Sequence, residues 1–121
     1  ARKRLLEKSN IPPERIERFA VLEFDENEHL TKIVEKPETV AENSFVSMNA
    51  WIFSPKIFEA CQKIEISTRG EYELTAAVMF AVEKLGEKFK VIESENGVLD
   101  LSSRADIATV AEYLKKLKIK N

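Results

Sequence analysis

Cysteine is nearly absent. A single thiol, Cys61, cannot form an internal disulfide, and with one histidine no Cys/His metal cluster can be assembled. That favours a reducing compartment. Glycine is scarce too: Gly70, Gly86 and Gly97 are the only three, and no glycine-rich run occurs among them. Without such a run there is no loop whose backbone N–H groups could cradle a polyphosphate. No charge of either sign dominates, with 19 basic and 21 acidic residues and a net charge of −2. This gives no electrostatic basis for binding nucleic acid or an anionic membrane. No apolar run approaches the roughly 18–20 residues of a membrane span. The basic start, Ala1-Arg2-Lys3-Arg4, has no signal-peptide core behind it. The expected location is the cytoplasm. The chain begins with Ala rather than Met, which suggests a processed or excised piece.

What is present suits a single packed domain. Of the 121 residues, 44 % are apolar, enough for a core, and 33 % are charged with the signs interspersed, as on an ordinary solvated surface. Ile11-Pro12-Pro13 breaks any helix begun in residues 1–9. Phe19 to Phe24 and Leu30 to Glu35 read as strands joined by the turn residues Asp25-Glu26-Asn27-Glu28, a β-hairpin. Phe45 to Phe53 is the most apolar strand candidate and lacks clean alternation, so it is expected to be central and covered on both faces.

Ser54 as N-cap and Pro55 at the first helical position predict a short helix, with Ile57, Phe58, Ala60 and Cys61 on its apolar side and Cys61 buried. Glu73 to Leu85 has helical spacing, with Leu74, Ala77, Val78, Ala81 and Leu85 on one face and Gly86 as C-cap. Phe89 to Ile92 and Val98 to Asp100 read as short strands, and Ser103 as the cap of a last helix with Ile107, Val110, Ala111 and Leu114 along one side. The resulting fold class is α/β, a partial mixed sheet with flanking helices.

Four segments carry residues suited to chemistry. Glu35-Lys36-Pro37 ends a strand; a carboxylate beside an ammonium can hold sugar hydroxyls and a phosphate, although alone it reads as an ordinary charged strand end. Ser47 and Asn49 are polar side chains inside the most apolar segment, and each needs a partner in the protein or in a ligand. Arg69-Gly70-Glu71-Tyr72-Glu73-Leu74-Thr75 reads as a turn leading into a helix with acids suited to the helix dipole, while Arg69 could also bind an anion. Asp100 follows a short strand and precedes a helix start, where α/β sheets place ligands and where a carboxylate suits Mg²⁺, or it is part of a turn or cap. His29 reads as a surface histidine and Trp51 as core.

Taken in order from about residue 18 to about residue 115, these segments resemble one family, the sugar-1-phosphate nucleotidyltransferases, also called NDP-sugar pyrophosphorylases. The resemblance is carried by Phe19-Ala20-Val21-Leu22-Glu23-Phe24-Asp25, Val34-Glu35-Lys36-Pro37, Ser47-Met48-Asn49-Ala50-Trp51, Arg69-Gly70-Glu71-Tyr72-Glu73-Leu74-Thr75 and Val98-Leu99-Asp100. It implies the C-terminal half of a Rossmann-like nucleotide-diphospho-sugar transferase fold, with residues 18–121 as the sugar-phosphate side and residues 1–17 as the remnant of the other half. It further implies that Glu35 meets the sugar hydroxyls, Lys36 the sugar phosphate, and Ser47 and Asn49 the region of the sugar ring. Asp100 would be one of two carboxylates holding catalytic Mg²⁺, and no residue of this half would be catalytic in its own right.

The implied reaction joins a sugar-1-phosphate and an NTP to give NDP-sugar and pyrophosphate. Ala20 and Asn49 stand where the family favours glycine, and Ser102-Ser103 where it favours Gly-Thr, which leaves the sugar open. The family's glycine-rich triphosphate loop has no counterpart here, so the chain alone is expected to be an inactive fragment. The alternatives are a non-catalytic sugar-phosphate-binding or oligomerisation module and a purely structural α/β domain. A homo-oligomer is expected, because half a sheet leaves an edge and an apolar face uncovered.

Overall fold

A computed structural model describes residues 19–37, 45–94, 99 and 101–119. The described chain contains strands β1 (Ala20–Phe24), β2 (Leu30–Glu35) and β3 (Phe45–Val46), followed by helices α1 (Lys56–Lys63), α2 (Leu74–Leu85) and α3 (Asp106–Ile119). The strands form a three-stranded sheet in the order β2-β1-β3. Both pairings are antiparallel. The architecture is the expected α/β class.

The hairpin forms where the turn residues predicted it. The Asp25 carboxylate accepts the backbone N–H groups of Asn27 and His29, both at 2.9 Å, and so closes the loop on itself. The bond from the His29 N–H above all holds the Asp25 carboxyl below its ordinary range. Glu28 takes a left-handed backbone, φ 62°. The register then slips: Phe24 pairs with Leu30 but Glu23 with Lys32, leaving Thr31 as the extra residue of a bulge. Beside the turn, Phe89 to Val91 runs along the start of β2, with Leu30 N–H donating to the Phe89 carbonyl (2.8 Å) and Val91 N–H to that of Glu28 (2.7 Å). The strand expected over 89–92 is thus a single bridge, His29 with Lys90.

The expected strand over 45–53 is much shorter than its apolar composition suggested. Only Phe45 and Val46 pair with β1. Asn49 adopts φ 52°, which turns the chain out of the ladder. Beyond it Trp51 and Phe53 face inward, their rings 6.0 Å apart and stacked, with Phe89 edge-on to both. Ile52, between them, is 95 % exposed. This segment is therefore covered on one side.

The core lies between the sheet and the α1–α2 pair. Leu30, Ile57, Ala60, Ala77, Val78 and Ala81 are its buried centre, with Leu22, Ile33, Trp51, Phe53, Ile64 and Phe89 packed around them. Alanines at 60, 77 and 81 are almost fully buried, small side chains that let α1 and α2 pack closely. The α2 face is as the spacing predicted at 77, 78 and 81, but Leu74 stays exposed. Gly86 ends α2 in the left-handed conformation (φ 66°), its N–H bonded to the Ala81 carbonyl.

Three helix expectations need correction. Ser54 makes no side-chain cap for α1. Its hydroxyl donates instead to Glu87 at 2.6 Å, and Lys56 meets the same carboxylate at 3.0 Å, so the start of α1 is clamped to the segment after α2. Cys61 is exposed rather than buried, because α1 turns Ile57 and Ala60 inward and leaves Phe58 and Cys61 outside that line. The α2 helix has no acid in its first turn, since Glu73 is still extended at the N-cap. Before α3, the Ser103 N–H and hydroxyl both donate to the Asp106 carboxylate at 2.8 Å, so the hydroxyl acts there as a donor to the first residue of the helix.

Candidate functional site

An open cleft of about 330 Å³ lies where β2 ends and α2 begins, lined by Glu35, Asn49, Trp51, Arg69, Glu71, Tyr72, Glu73, Leu74 and Thr75. Its walls come from segments that the sequence keeps well apart. The end of β2 contributes Glu35, the segment after β3 contributes Asn49 and Trp51, and the loop entering α2 together with that helix's first turn contributes the rest.

Local backbone explains why these side chains meet. Lys36 takes φ 47° and Asn49 φ 52°, so the chain bends sharply as it leaves β2 and again after β3. Non-glycine residues in this region are uncommon, and such strain concentrates at ligand sites. Asparagine tolerates the left-handed region better than most residues. Ser47 is buried and supports the second bend: its N–H donates to the Ala20 carbonyl at 2.8 Å, and its hydroxyl accepts the Asn49 N–H at 3.3 Å. Ser47 thus finds its partners within the protein and does not line the cleft.

The loop from Ser67 to Glu73 is tied to itself. Ser67 N–H donates to the Glu71 carbonyl and Gly70 N–H to that of Ser67, both at 2.9 Å, with Gly70 at φ 79° allowing the turn. Arg69 Nε donates to Glu73 Oε1 at 3.0 Å, and Nη2 meets the same oxygen at 2.9 Å. Glu71 stands 4.0 Å from Nη2. The hydrogen bond to Glu73 is the main reason the guanidinium is held above its ordinary pKa. A hydrogen bond from Ser67, then that from Arg69, holds the Glu73 carboxyl below its own. Glu35 adds to the field on Arg69, and Lys36 to that on Glu73.

Of the residues singled out in the sequence, the fold brings Glu35 and Asn49 to one cleft with Arg69, and sets Lys36 within electrostatic reach of Glu73. Asp100 lies outside the described residues. Among the described residues, no three His, Cys, Asp or Glu side chains gather as a metal site. Trp51, which reads in the sequence only as core, both packs on Phe53 and lines the cleft. The acids of 71–73 read in the sequence as helix-dipole partners, whereas Glu73 is committed to Arg69. The signal for that pairing was the i, i+4 spacing of Arg69 and Glu73.

The family model described as nucleotidyl transferase matches residues 9–116. The chain belongs to the nucleotidyl transferase family. Within it, the chain is 34 % identical over 98 residues to the bifunctional protein GlmU of Methanocaldococcus jannaschii, covering 81 % of this chain and 23 % of that protein. It is 33 % identical over 95 residues to a bifunctional sugar-1-phosphate nucleotidylyltransferase/acetyltransferase of Sulfurisphaera tokodaii, covering 78 % and 23 %. It is 30 % identical over 89 residues to a UTP–glucose-1-phosphate uridylyltransferase, AglF, of Haloferax volcanii, covering 74 % and 36 %. This member of the family therefore spans about a quarter to a third of the length of these relatives. No helix among its described residues is long and apolar enough to cross a membrane.

Proposed function

We propose that the chain is the sugar-phosphate-binding part of an enzyme that joins a sugar-1-phosphate and an NTP to give NDP-sugar and pyrophosphate, and that the cleft at the end of β2 is the sugar-1-phosphate seat. The observation that carries this reading is the convergence of Glu35, Asn49 and the loop from Arg69 to Glu73 on one cleft. The relatives' names support it, two of them specifying a sugar-1-phosphate or glucose-1-phosphate substrate.

In this reading each residue has a role set by its chemistry. The Glu35 carboxylate accepts hydrogen bonds from sugar hydroxyls. Lys36 and Arg69 take the phosphate, the ammonium as a point charge and the guanidinium through its donor fork. Asn49 meets the sugar edge with its amide, and Ser47 acts beneath it by fixing its bend. Trp51 and Tyr72 offer apolar faces to the ring. Asp100 would hold Mg²⁺, whose chemistry is neutralisation of phosphate charge. The protein's part is to align the sugar phosphate for in-line attack on the nucleotide and to stabilise charge, with no covalent intermediate. Alone, the chain binds a sugar phosphate but transfers nothing, and its exposed apolar side chains promote self-association.

Calorimetric titration with glucose 1-phosphate and other hexose 1-phosphates, without NTP, tests the seat. Binding that is lost in Glu35→Ala and Lys36→Ala supports it; binding unaffected by either substitution places the ligand elsewhere.

A further inference from the structure

Arg69 is the only basic side chain among the described residues lining the cleft, and it is already paired. Which part of it is paired matters. A guanidinium carries five N–H donors in a rigid fork. Glu73 Oε1 accepts the Nε proton at 3.0 Å and lies 2.9 Å from Nη2, on the same edge of the fork. The outer edge, formed by Nη1 and the second Nη2 proton, has no hydrogen-bond partner among the described residues. Glu71 approaches that edge only to 4.0 Å, and its side chain is 70 % exposed. A carboxylate competing with a ligand would occupy the outer edge. Glu73 grips the inner one.

Glu73 is itself fixed. It stands at the N-cap of α2, just before a rigid helix, with its side chain 17 % exposed. Ser67 hydrogen-bonds its carboxylate. Ser67 also accepts the Arg69 N–H through its hydroxyl at 3.3 Å and closes the loop through its backbone. Ser67 thus braces Glu73, and Glu73 braces the guanidinium. Arginine is otherwise a long, flexible side chain that must be ordered when it binds.

The geometry points to Glu73 as a positioning residue that holds Arg69 by its inner edge and presents the outer edge to an oxyanion in the cleft. This rests on the proposed sugar-phosphate seat. Glu73 has two opposed effects on a bound phosphate. Its charge repels the anion, and its grip preorganises the arginine. The proposal is that the grip prevails, so removing Glu73 weakens binding even though it removes a negative charge.

The test uses the full chain with Glu73→Ala, Glu73→Gln, Arg69→Ala and the double variant, titrated with glucose 1-phosphate and with inorganic phosphate, and the Arg69 Nε–H resonance followed by NMR. Glu73→Ala is expected to weaken binding of both anions at least about fivefold and to abolish the protected Nε–H signal. Glu73→Gln keeps an acceptor oxygen and should recover most of the affinity. In the Arg69→Ala background, Glu73→Ala should cost nothing further. Should Glu73→Ala fail to fold, Glu73→Asp, too short to reach Nε, is expected to show the same loss.

Unchanged or tighter binding without Glu73 overturns the proposal, as does a loss that persists without Arg69. If glucose 1-phosphate binds wild type and Glu73→Ala equally, the seat stands and the role of Glu73 falls. If inorganic phosphate binds wild type and binds Glu73→Ala several-fold more weakly while no hexose 1-phosphate binds, the role of Glu73 stands and the sugar-phosphate reading falls. If neither anion binds wild type, both fall.

Discussion

Lys36 and Asn49 share a left-handed backbone, and each stands beside or in the cleft. Polar-apolar patterning gives no warning of this: asparagine tolerates a positive φ without requiring one, and lysine carries no such signal. Glu35 and Asn49 were legible as candidates from chemical type and from the family's motifs. Arg69 was visible only as one of two readings, since a lone arginine in a turn looks the same whether or not it faces a ligand. Arg69→Ala removes a charged donor fork, a loss of about 1.5–3 kcal/mol when such hydrogen bonds are made. Glucose 1-phosphate affinity should therefore fall by about one to two orders of magnitude by calorimetry.

Glu87 supports a second prediction at this scale. The Ser54 hydroxyl, then Lys56, holds its carboxyl below the ordinary range. The clamp's contribution to stability is thus complete above the ordinary glutamate range and is lost as pH falls through the lowered pKa. Glu87→Gln should slightly lower the melting temperature at neutral pH and flatten its decline in acid. An unaltered acid profile would show that the clamp does not contribute.

Elements were read well where local chemistry sets them and less well where tertiary context does. The hairpin, the α2 face at 77, 78 and 81, and the Gly86 cap follow from turn residues and helical period. The 45–53 segment was misjudged in length because apolar composition reports burial and not pairing, and a single bend at Asn49 ends the ladder. Cys61 was misplaced because a helix of eight residues is too short for its apolar side to be fixed by period alone.

The cap gives a direct test. Gly86→Ala puts a Cβ at φ 66°, where it meets no atom within 4 Å. The cost is then backbone strain alone, about 1–2 kcal/mol in urea denaturation. In the core, Ala77 is fully buried. Ala77→Leu should destabilise by about 1–3 kcal/mol through overpacking.

At the scale of the whole molecule, the described core is small and much apolar surface remains outside it. Ile52 is 95 % exposed, Ile92 84 % and Phe58 72 %, and α3 exposes Ile107, Leu114 and Leu117. Light scattering at rising concentration should show self-association, and a strictly monomeric mass would argue against that part of the proposal. The sequence holds three glycines and no glycine-rich run, and the proposed reading gives the chain no part in holding the triphosphate. Incubated with hexose 1-phosphate, NTP and Mg²⁺, the chain should release no pyrophosphate.

The central claim is that the cleft of Glu35, Asn49 and Arg69 seats a sugar-1-phosphate. The most direct measurement is an NMR titration of the isotopically labelled chain with glucose 1-phosphate and other hexose 1-phosphates. The account predicts saturable shifts concentrated at Glu35, Lys36, Asn49, Trp51 and Arg69 for at least one of them. Saturable shifts elsewhere, or none for any sugar-1-phosphate, would contradict it.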